Sequence, residues 1–432
     1  MSRVIAFCFL LLAAVIGVLH LDTRPAWAPF ADSLATVVEE AVEEELPLAA
    51  SSPKQVVNKS VNKLSTQPII EPSIAKPHAT WLPDTDAPSV HAASLIALKD
   101  GGIRAFWFAG SREGARDVVI NSAVFDPKAS LWTAATVVID RVGAEKGLAR
   151  YIAKLGNPVP SRMSDVRLQL FFVTVSIGGW AGSSISTIIS DDEGLTWSQP
   201  QRLISSPLLN ISTLVKSPAL AFSDGRLGLP AYHEWIGRFG EFLRVDAAQV
   251  IDKRRMSSGR GAIQPVIFTN SPQDAAAYFR QTRSAGLPKV IPASMTSDAG
   301  QTWQVSQDLA IANPNAAVAG LTLKSGIRLL ALNNIEVGRA RLVLLMKLPQ
   351  SDQWQIVQTL EDDEALPNDQ RKEYSYPYLM SSDGNDAHLA YTWDRKKIRH
   401  VHYSSAWLKR EYQQLSASPT QVPDANAKEL KP

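Results

Sequence analysis

The sequence has almost no cysteine. Its single one, Cys8, sits inside an apolar N-terminal run, so neither an intramolecular disulfide nor a cysteine metal site is available. It also lacks a dominant charge: the formal net charge is +2, too little to draw nucleic acid or an acidic membrane surface. There is no phosphate-binding loop, no Gly-x-Ser-x-Gly elbow, no HExxH and no cluster of histidines at metal-ligand spacing. These gaps argue against nucleotide-dependent and serine-hydrolase chemistry, and the reading expects no cofactor, no metal and no nucleic-acid partner. What remains is ordinary globular composition, 45% hydrophobic and 20% charged, with eleven tryptophans suited to wedging between sheets or stacking on sugars.

The N-terminus carries an address. Arg3 precedes an uncharged run from Val4 to Leu19, and Ala26-Trp27-Ala28 fits a small-x-small cleavage site. A transmembrane helix needs about 20 residues. Residues 1–28 are therefore expected to be a signal peptide or a membrane anchor, with the protein exported and periplasmic or extracytoplasmic. Residues 29–77 read as a low-complexity, disordered linker with an acidic stretch from Glu39 to Glu45 and a short helix over Leu34 to Glu45. Residues 413–432 read as a flexible tail.

Between linker and tail, over 78–412, the pattern is β. Short apolar runs are bounded by Asp-Gly, Asn and Pro turns. A strand–turn–stronger strand phrase recurs: Ser94 to Ala109, Ala219 to Tyr232, Val318 to Leu332 and Tyr378 to Trp393, with weaker copies at Val166 to Val175 and Pro265 to Arg280. Six copies predict six four-stranded blades, each covering its neighbour's apolar faces: an all-β, six-bladed β-propeller.

Two turns are nearly identical. Ser190, Asp192, Gly194 and Trp197 fill one copy of Ser/Thr-x-Asp-x-Gly-x-Thr-Trp, and Thr296, Asp298, Gly300 and Trp303 fill the other. Hydroxyl and carboxylate accept from turn amides, glycine supplies the left-handed angle, and tryptophan tucks between sheets. This motif resembles the Asp-box, or bacterial neuraminidase repeat, of the sialidase superfamily. There it is a structural turn on the face away from the active site. The resemblance spans residues 88–405 and is to the sialidase-like BNR-repeat branch rather than to a typical sialidase.

Sialidases hold the substrate carboxylate with three arginines, use a tyrosine paired with a glutamate as nucleophile, and use an aspartate as acid/base. The resemblance carries these roles over position by position. His91 stands where the first arginine belongs; it cannot make a bidentate ion pair but could carry a proton, or be a strand-start histidine satisfied by backbone. The loop after Trp107 offers Arg112, Glu113 and Asp117, with Asp117 as acid/base. Tyr232, His233 and Glu234 end an apolar strand, and Glu234 matches the carboxylate that activates the tyrosine. Arg280 matches the second arginine, and Arg339 or Arg341 the third. Tyr374 matches the nucleophile, with Tyr376 beside it; Arg395, Arg399 and His400 follow on the last strand. The implied activity is sialidase-like hydrolysis at an acidic sugar. The alternatives are a lyase acting on uronic-acid polymers and a non-catalytic glycan-binding propeller.

Overall fold

A computed structural model describes residues 27–31, 76–206, 210–257, 261–283 and 286–417. The expected signal segment up to residue 26 and the acidic helix at 34–45 lie outside the described residues.

The first strand, β1 (His78–Trp81), is set aside for the end of the chain. Blade 1 follows as β2 (Ser89–Ala97), β3 (Ile103–Gly110), β4 (Val119–Asp126), β5 (Leu131–Trp132) and β6 (Thr136–Ile139). Helix α1 (Arg141–Leu148) leads to blade 2: β7 (Lys154–Arg162), β8 (Leu168–Val175), β9 (Ser183–Ser190) and β10 (Gln201–Arg202). Blade 3 holds β11 (Leu214–Val215), β12 (Leu220–Ala221), β13 (Leu227–His233), β14 (Phe239–Asp246) and β15 (Gln249–Arg255). Blade 4 holds β16 (Ala262–Thr269), β17 (Ala275–Gln281), β18 (Val290–Thr296) and β19 (Gln304–Ala312). Blade 5 holds β20 (Ala319–Thr322), β21 (Arg328–Leu332), β22 (Arg341–Lys347) and β23 (Trp354–Asp362). In blade 6, β24 (Tyr374–Met380), β25 (Ala387–Trp393) and β26 (Lys397–Tyr403) are completed by β1, which pairs antiparallel with β26, His78 opposite His402. Helix α2 (Ser405–Ala417) then covers the seam between blades 5 and 6 with Trp407 and Leu408, and runs past residue 413, where the tail was expected to begin.

The structure is thus the six-bladed propeller that the strand phrase predicted. Its core is divided rather than central. One apolar cluster fills each of the six blade–blade interfaces, because each sheet has two apolar faces and no single layer could cover both.

The two repeated turns sit between the third and fourth strands of blades 2 and 4. Asp192 accepts from the Thr196 amide at 2.8 Å and hydroxyl at 2.6 Å, and Ser190 Oγ accepts from Gly194 N at 2.7 Å. Asp298, Thr302, Thr296 and Gly300 repeat these bonds. Gly194 and Gly300 stand at φ 90° and 89°, where a side chain would strain the turn. Trp197 packs edge-on against Phe106 of blade 1, and Trp303 against Phe242 of blade 3, so each turn pins its blade to the one before. These turns and the hairpins between first and second strands share one face of the ring, here the turn face.

The residues flanking the expected cleavage point are part of the fold. Trp27 and Phe30 are 5% and 2% exposed, wedged between blades 3 and 4 with Phe222, Phe242 and Phe279. Trp27 Nε1 donates to Asp252 at 3.2 Å, and the guanidinium of Arg244 lies over its ring. Backbone bonds join Phe30 to Pro272, Ala31 to Ala221 and Pro29 to Ser223. The sequence reading placed 29–31 in an unstructured linker; two large aromatic side chains supply the buried surface it did not credit.

Trp27→Ala is expected to cost about 3–5 kcal/mol, the usual loss for a buried tryptophan, read as a lower denaturant midpoint. An unchanged midpoint would mean that this segment contributes no stability. Burial pushes the Asp298 carboxyl up, but hydrogen bonds from Thr302 and Thr296 outweigh it and hold the group below its ordinary value. The stability it contributes is therefore present above about pH 4 and lost as pH falls further. Asp298→Asn should flatten that acid limb in a pH series of melting curves.

Candidate functional site

At the axis, the other face of the ring carries the ends of the innermost strands and the loops between second and third strands. Each blade places one residue with left-handed backbone there: Ala92, Asn157, Ser212, Gln264, Asn315 and Tyr376, with φ from 44° to 64°. In blades 1, 2, 4 and 6 the innermost strand also slips register at that point. Such bulges bend the strand and re-aim its side chains, and each non-glycine left-handed residue costs about 1–3 kcal/mol. Proline follows at 158, 265 and 377, where a missing N–H costs no ladder bond.

The re-aimed side chains join in one polar group. Gln264 Nε2 lies 3.2 Å from both the Tyr232 and the Tyr376 hydroxyl oxygens, and Asn157 Nδ2 donates to Tyr232 at 3.2 Å. Arg280 donates through Nε to Asn315 Oδ1 at 2.7 Å and through Nη1 to Gln264 Oε1 at 3.3 Å. Arg339 donates to Glu373 at 2.8 Å and to the Asn315 carbonyl at 3.2 Å. Arg395, at a hairpin tip where Asp394 and Arg395 both have positive φ, takes Glu373 with two bonds of 3.1 Å and Glu113 at 2.5 Å. Burial pushes the Glu373 carboxyl up, but Arg395 and Arg339 more than reverse this and hold it down to about 2.

His91 lies beneath this group, 1% exposed, its ring 4.3 Å from that of Tyr376. Burial and then the charge of Arg395 push its pKa well below the ordinary histidine range, so it is neutral. Burial also raises Glu234, against the pull of Arg280 and Arg238, and drives the Tyr232 phenol well above its usual value. Lys216 closes the axis underneath. Its ammonium donates to the carbonyls of Val318 at 2.8 Å and Pro377 at 2.5 Å, and burial, with Arg280 nearby, lowers it to about 7.

The fold therefore brings together Glu113, Tyr232, Glu234, Arg280, Arg339, Tyr376 and His91 from the sequence-predicted set. It does not bring Tyr374. That ring is 2% exposed, turned outward against Trp393, with its hydroxyl donating to Asp363 at 2.8 Å. The left-handed bulge at Tyr376 breaks the strand's alternation and exchanges the two tyrosines. Asp117 closes its own loop by accepting from the Ser111 amide and hydroxyl at 2.8 and 2.9 Å. Arg112 is exposed, and Arg341 pairs with Asp362 and Glu364 at the rim. Arg399 lies over Trp81, and His233 stacks on Phe239. Sequence reasoning missed Glu373, Asn157 and Asn315. The recurring polar-residue–proline pair at 157–158, 264–265 and 376–377 is the signal that would have found Asn157.

Two cavities, of about 240 and 280 Å³, open on the turn face, lined largely by apolar side chains such as Leu220, Val266, Leu321 and Met380. The convergent charge lies at the opposite end of the axis, and chemistry, not volume, marks the candidate site.

No curated protein matches the sequence. Among solved structures, the intramolecular trans-sialidase from Ruminococcus gnavus is similar with a TM-score of 0.58 at 14% identity, covering 75% of this chain and 96% of that one. The NanB sialidase from Streptococcus pneumoniae gives 0.59 at 12%, covering 74% and 69%. The Hadza microbial sialidase Hz136 gives 0.58 at 14%, and this chain spans just 66% of its length. A Dyadobacter fermentans protein of unknown function gives 0.58 at 12%, covering 76% and 98%. The sequence itself matches the BNR repeat-like domain over residues 101–389. The chain therefore belongs to the BNR repeat-like family, on the sialidase-type six-bladed propeller.

Proposed function

We propose that this propeller acts on an acidic glycan outside the cytoplasm, hydrolysing the bond at a carboxylate-bearing sugar bound at the axial arginine group. The observation that carries this is Arg280. Its half-buried guanidinium is held by two amide oxygens, and no carboxylate lies within ion-pair distance among the described residues. A fixed, half-buried guanidinium with no carboxylate at ion-pair distance is a receptor for a ligand anion. Arg339 stands beside it on the shared Asn315.

Tyr376 replaces Tyr374 as the nucleophile in this reading. Its hydroxyl oxygen already accepts from Gln264, and it shares the group with Glu234, whose burial-raised pKa suits a base. Glu113, from the loop of blade 1, is the acid once it exchanges its ion pair with Arg395 for a proton. The sialidases of like fold name the class of substrate by analogy alone.

A second reading has its own support. Glu113 is tied to Arg395 at 2.5 Å, and His91 stands where the first clamp arginine would, which suits a propeller that binds acidic glycan without cleaving it.

The test is product release from sialosides and uronate polysaccharides, reading free sugar and the absorbance of unsaturated ends. Hydrolysis predicts that Tyr376→Phe, which removes the nucleophilic oxygen, lowers kcat by about 100-fold or more, while Tyr374→Phe leaves turnover unchanged. Arg280→Gln should weaken glycan binding about 10- to 100-fold, the value of a charged hydrogen-bonded pair. The rate should fall as pH drops through the raised Glu234 pKa, and Glu234→Gln should remove that limb. Glycan binding that depends on Arg280 without any turnover would establish the binding reading; Arg280-independent binding would overturn both.

A further inference from the structure

The seam between blades 6 and 1 holds a group of imidazoles remote from the axial arginines. His388 on β25 and His402 on β26 are directly opposed in the ladder, and their rings stack with centroids 4.4 Å apart. Both Nε2 atoms face one oxygen, Asp386 Oδ2, at 3.1 and 3.4 Å. His388 and Asp386 are buried, while the His402 side chain is 31% exposed.

Each ligand is oriented from behind. Asp386 Oδ1 accepts from the Ser381 hydroxyl at 2.8 Å and the Ser382 amide at 2.7 Å, which turns Oδ2 towards the imidazoles. Oδ2 already accepts from the Ser382 hydroxyl at 2.5 Å, so two more donors would crowd one oxygen. His388 Nδ1 lies 2.9 Å from His400 Nε2, and His400 Nδ1 lies 3.3 Å from Thr80 Oγ1. If protons run outward along this line, from His388 to His400 and from His400 to Thr80, His388 Nε2 keeps a lone pair facing Asp386. In that tautomer a carboxylate oxygen and a ring lone pair 3.1 Å apart leave a place for a cation between them, whereas the opposite tautomer makes the contact a hydrogen bond.

The spacing is right for one. Four ligands at about 2.0–2.1 Å in a tetrahedron stand about 3.3 Å from each other. The two nitrogen–oxygen separations bracket that value, and the three ligand atoms lie within 4.8 Å of one another. The partly exposed His402 ring must turn out of its stack on His388 for both Nε2 lone pairs to meet at one ion. Two imidazoles and a carboxylate suit zinc and its first-row neighbours, not calcium or magnesium.

We propose that Asp386, His388 and His402 bind one divalent transition-metal ion, zinc by ligand type, with the fourth position open on the solvent side of His402. His400 is a positioning residue that fixes the His388 tautomer. His78, opposite His402 on β1, stands next in the same row. The site joins β25 to β26 beside the strand that closes the ring, so its role is to clip the closure, not to take part in chemistry at the axis. Sequence reasoning expected no metal because the ligands have no motif spacing; only strand pairing puts residues 388 and 402 side by side.

The experiment uses the full chain without an affinity tag, stripped by chelator and titrated with Zn²⁺ by calorimetry, with melting followed in parallel. One ion per chain and a raised thermal midpoint are expected. Co²⁺ in its place should give the visible absorption of a tetrahedral site. His402→Ala removes a partly exposed ligand without opening the core and should abolish both signals; His400→Gln should weaken uptake by about 10- to 100-fold, as outer-shell partners do. Zinc uptake that is equal in the wild type and His402→Ala, or a stripped chain that takes up none and melts unchanged, would overturn the proposal and leave a hydrogen-bonded histidine cluster.

Discussion

Everything in this molecule depends on closing a ring. Each blade is a sheet with two apolar faces, and only a neighbour on either side can cover both. Five of the six junctions follow from chain order. The sixth needs β1, taken from the start of the propeller, to pair with β26 near its end. Until that ladder forms, blades 1 and 6 each expose an apolar face, and the cluster of Val90, Trp107, Phe125, Tyr378 and Ile398 between them has no second side. Contacts of such sequence separation form late and at high entropic cost.

The axial group inherits this dependence. No blade contains a site. Arg280 comes from blade 4, Arg339 from blade 5, Glu373, Tyr376 and Arg395 from blade 6, Glu113 from blade 1 and Tyr232 from blade 3. What makes them converge is a local device repeated in every blade, a left-handed residue at the axial end of the innermost strand. Intrinsically unfavourable backbone is tolerated there because the surrounding ladders over-determine it. The ion pairs among Arg339, Glu373, Arg395 and Glu113 then lock three blades together at the rim of the axis, while Lys216 ties a fourth to the carbonyls of two others beneath.

This division explains what the sequence disclosed. Blade number was legible because strand–turn–strand phrases are local and repeat. The tight turns were legible because one hydroxyl, one carboxylate, one glycine and one tryptophan each have a single job within eight residues. Arg280 was legible because an arginine ending an apolar strand has nothing to offset its burial except an anion. Tyr376 was not distinguished from Tyr374, because residues two apart share a face in any regular strand and only a bulge separates them. Glu373 was invisible because its partners, Arg339 and Arg395, come from two different loops. The pair His388 and His402 was invisible because their proximity is a fact of register. The packing of Trp27 was not legible because small residues around it fit a cleavage pattern, and the pattern says nothing about what an aromatic ring can pack against.

That last residue gives the molecule a direction. The segment from Trp27 to Ala31 lies against the hairpins at Phe222 and Pro272 and the turn at Gly300, all on the turn face. The arginine group opens from the opposite end of the axis. The chain thus enters the described fold on one face of the ring and gathers its arginines on the other, so the two ends of the axis do not compete for one surface.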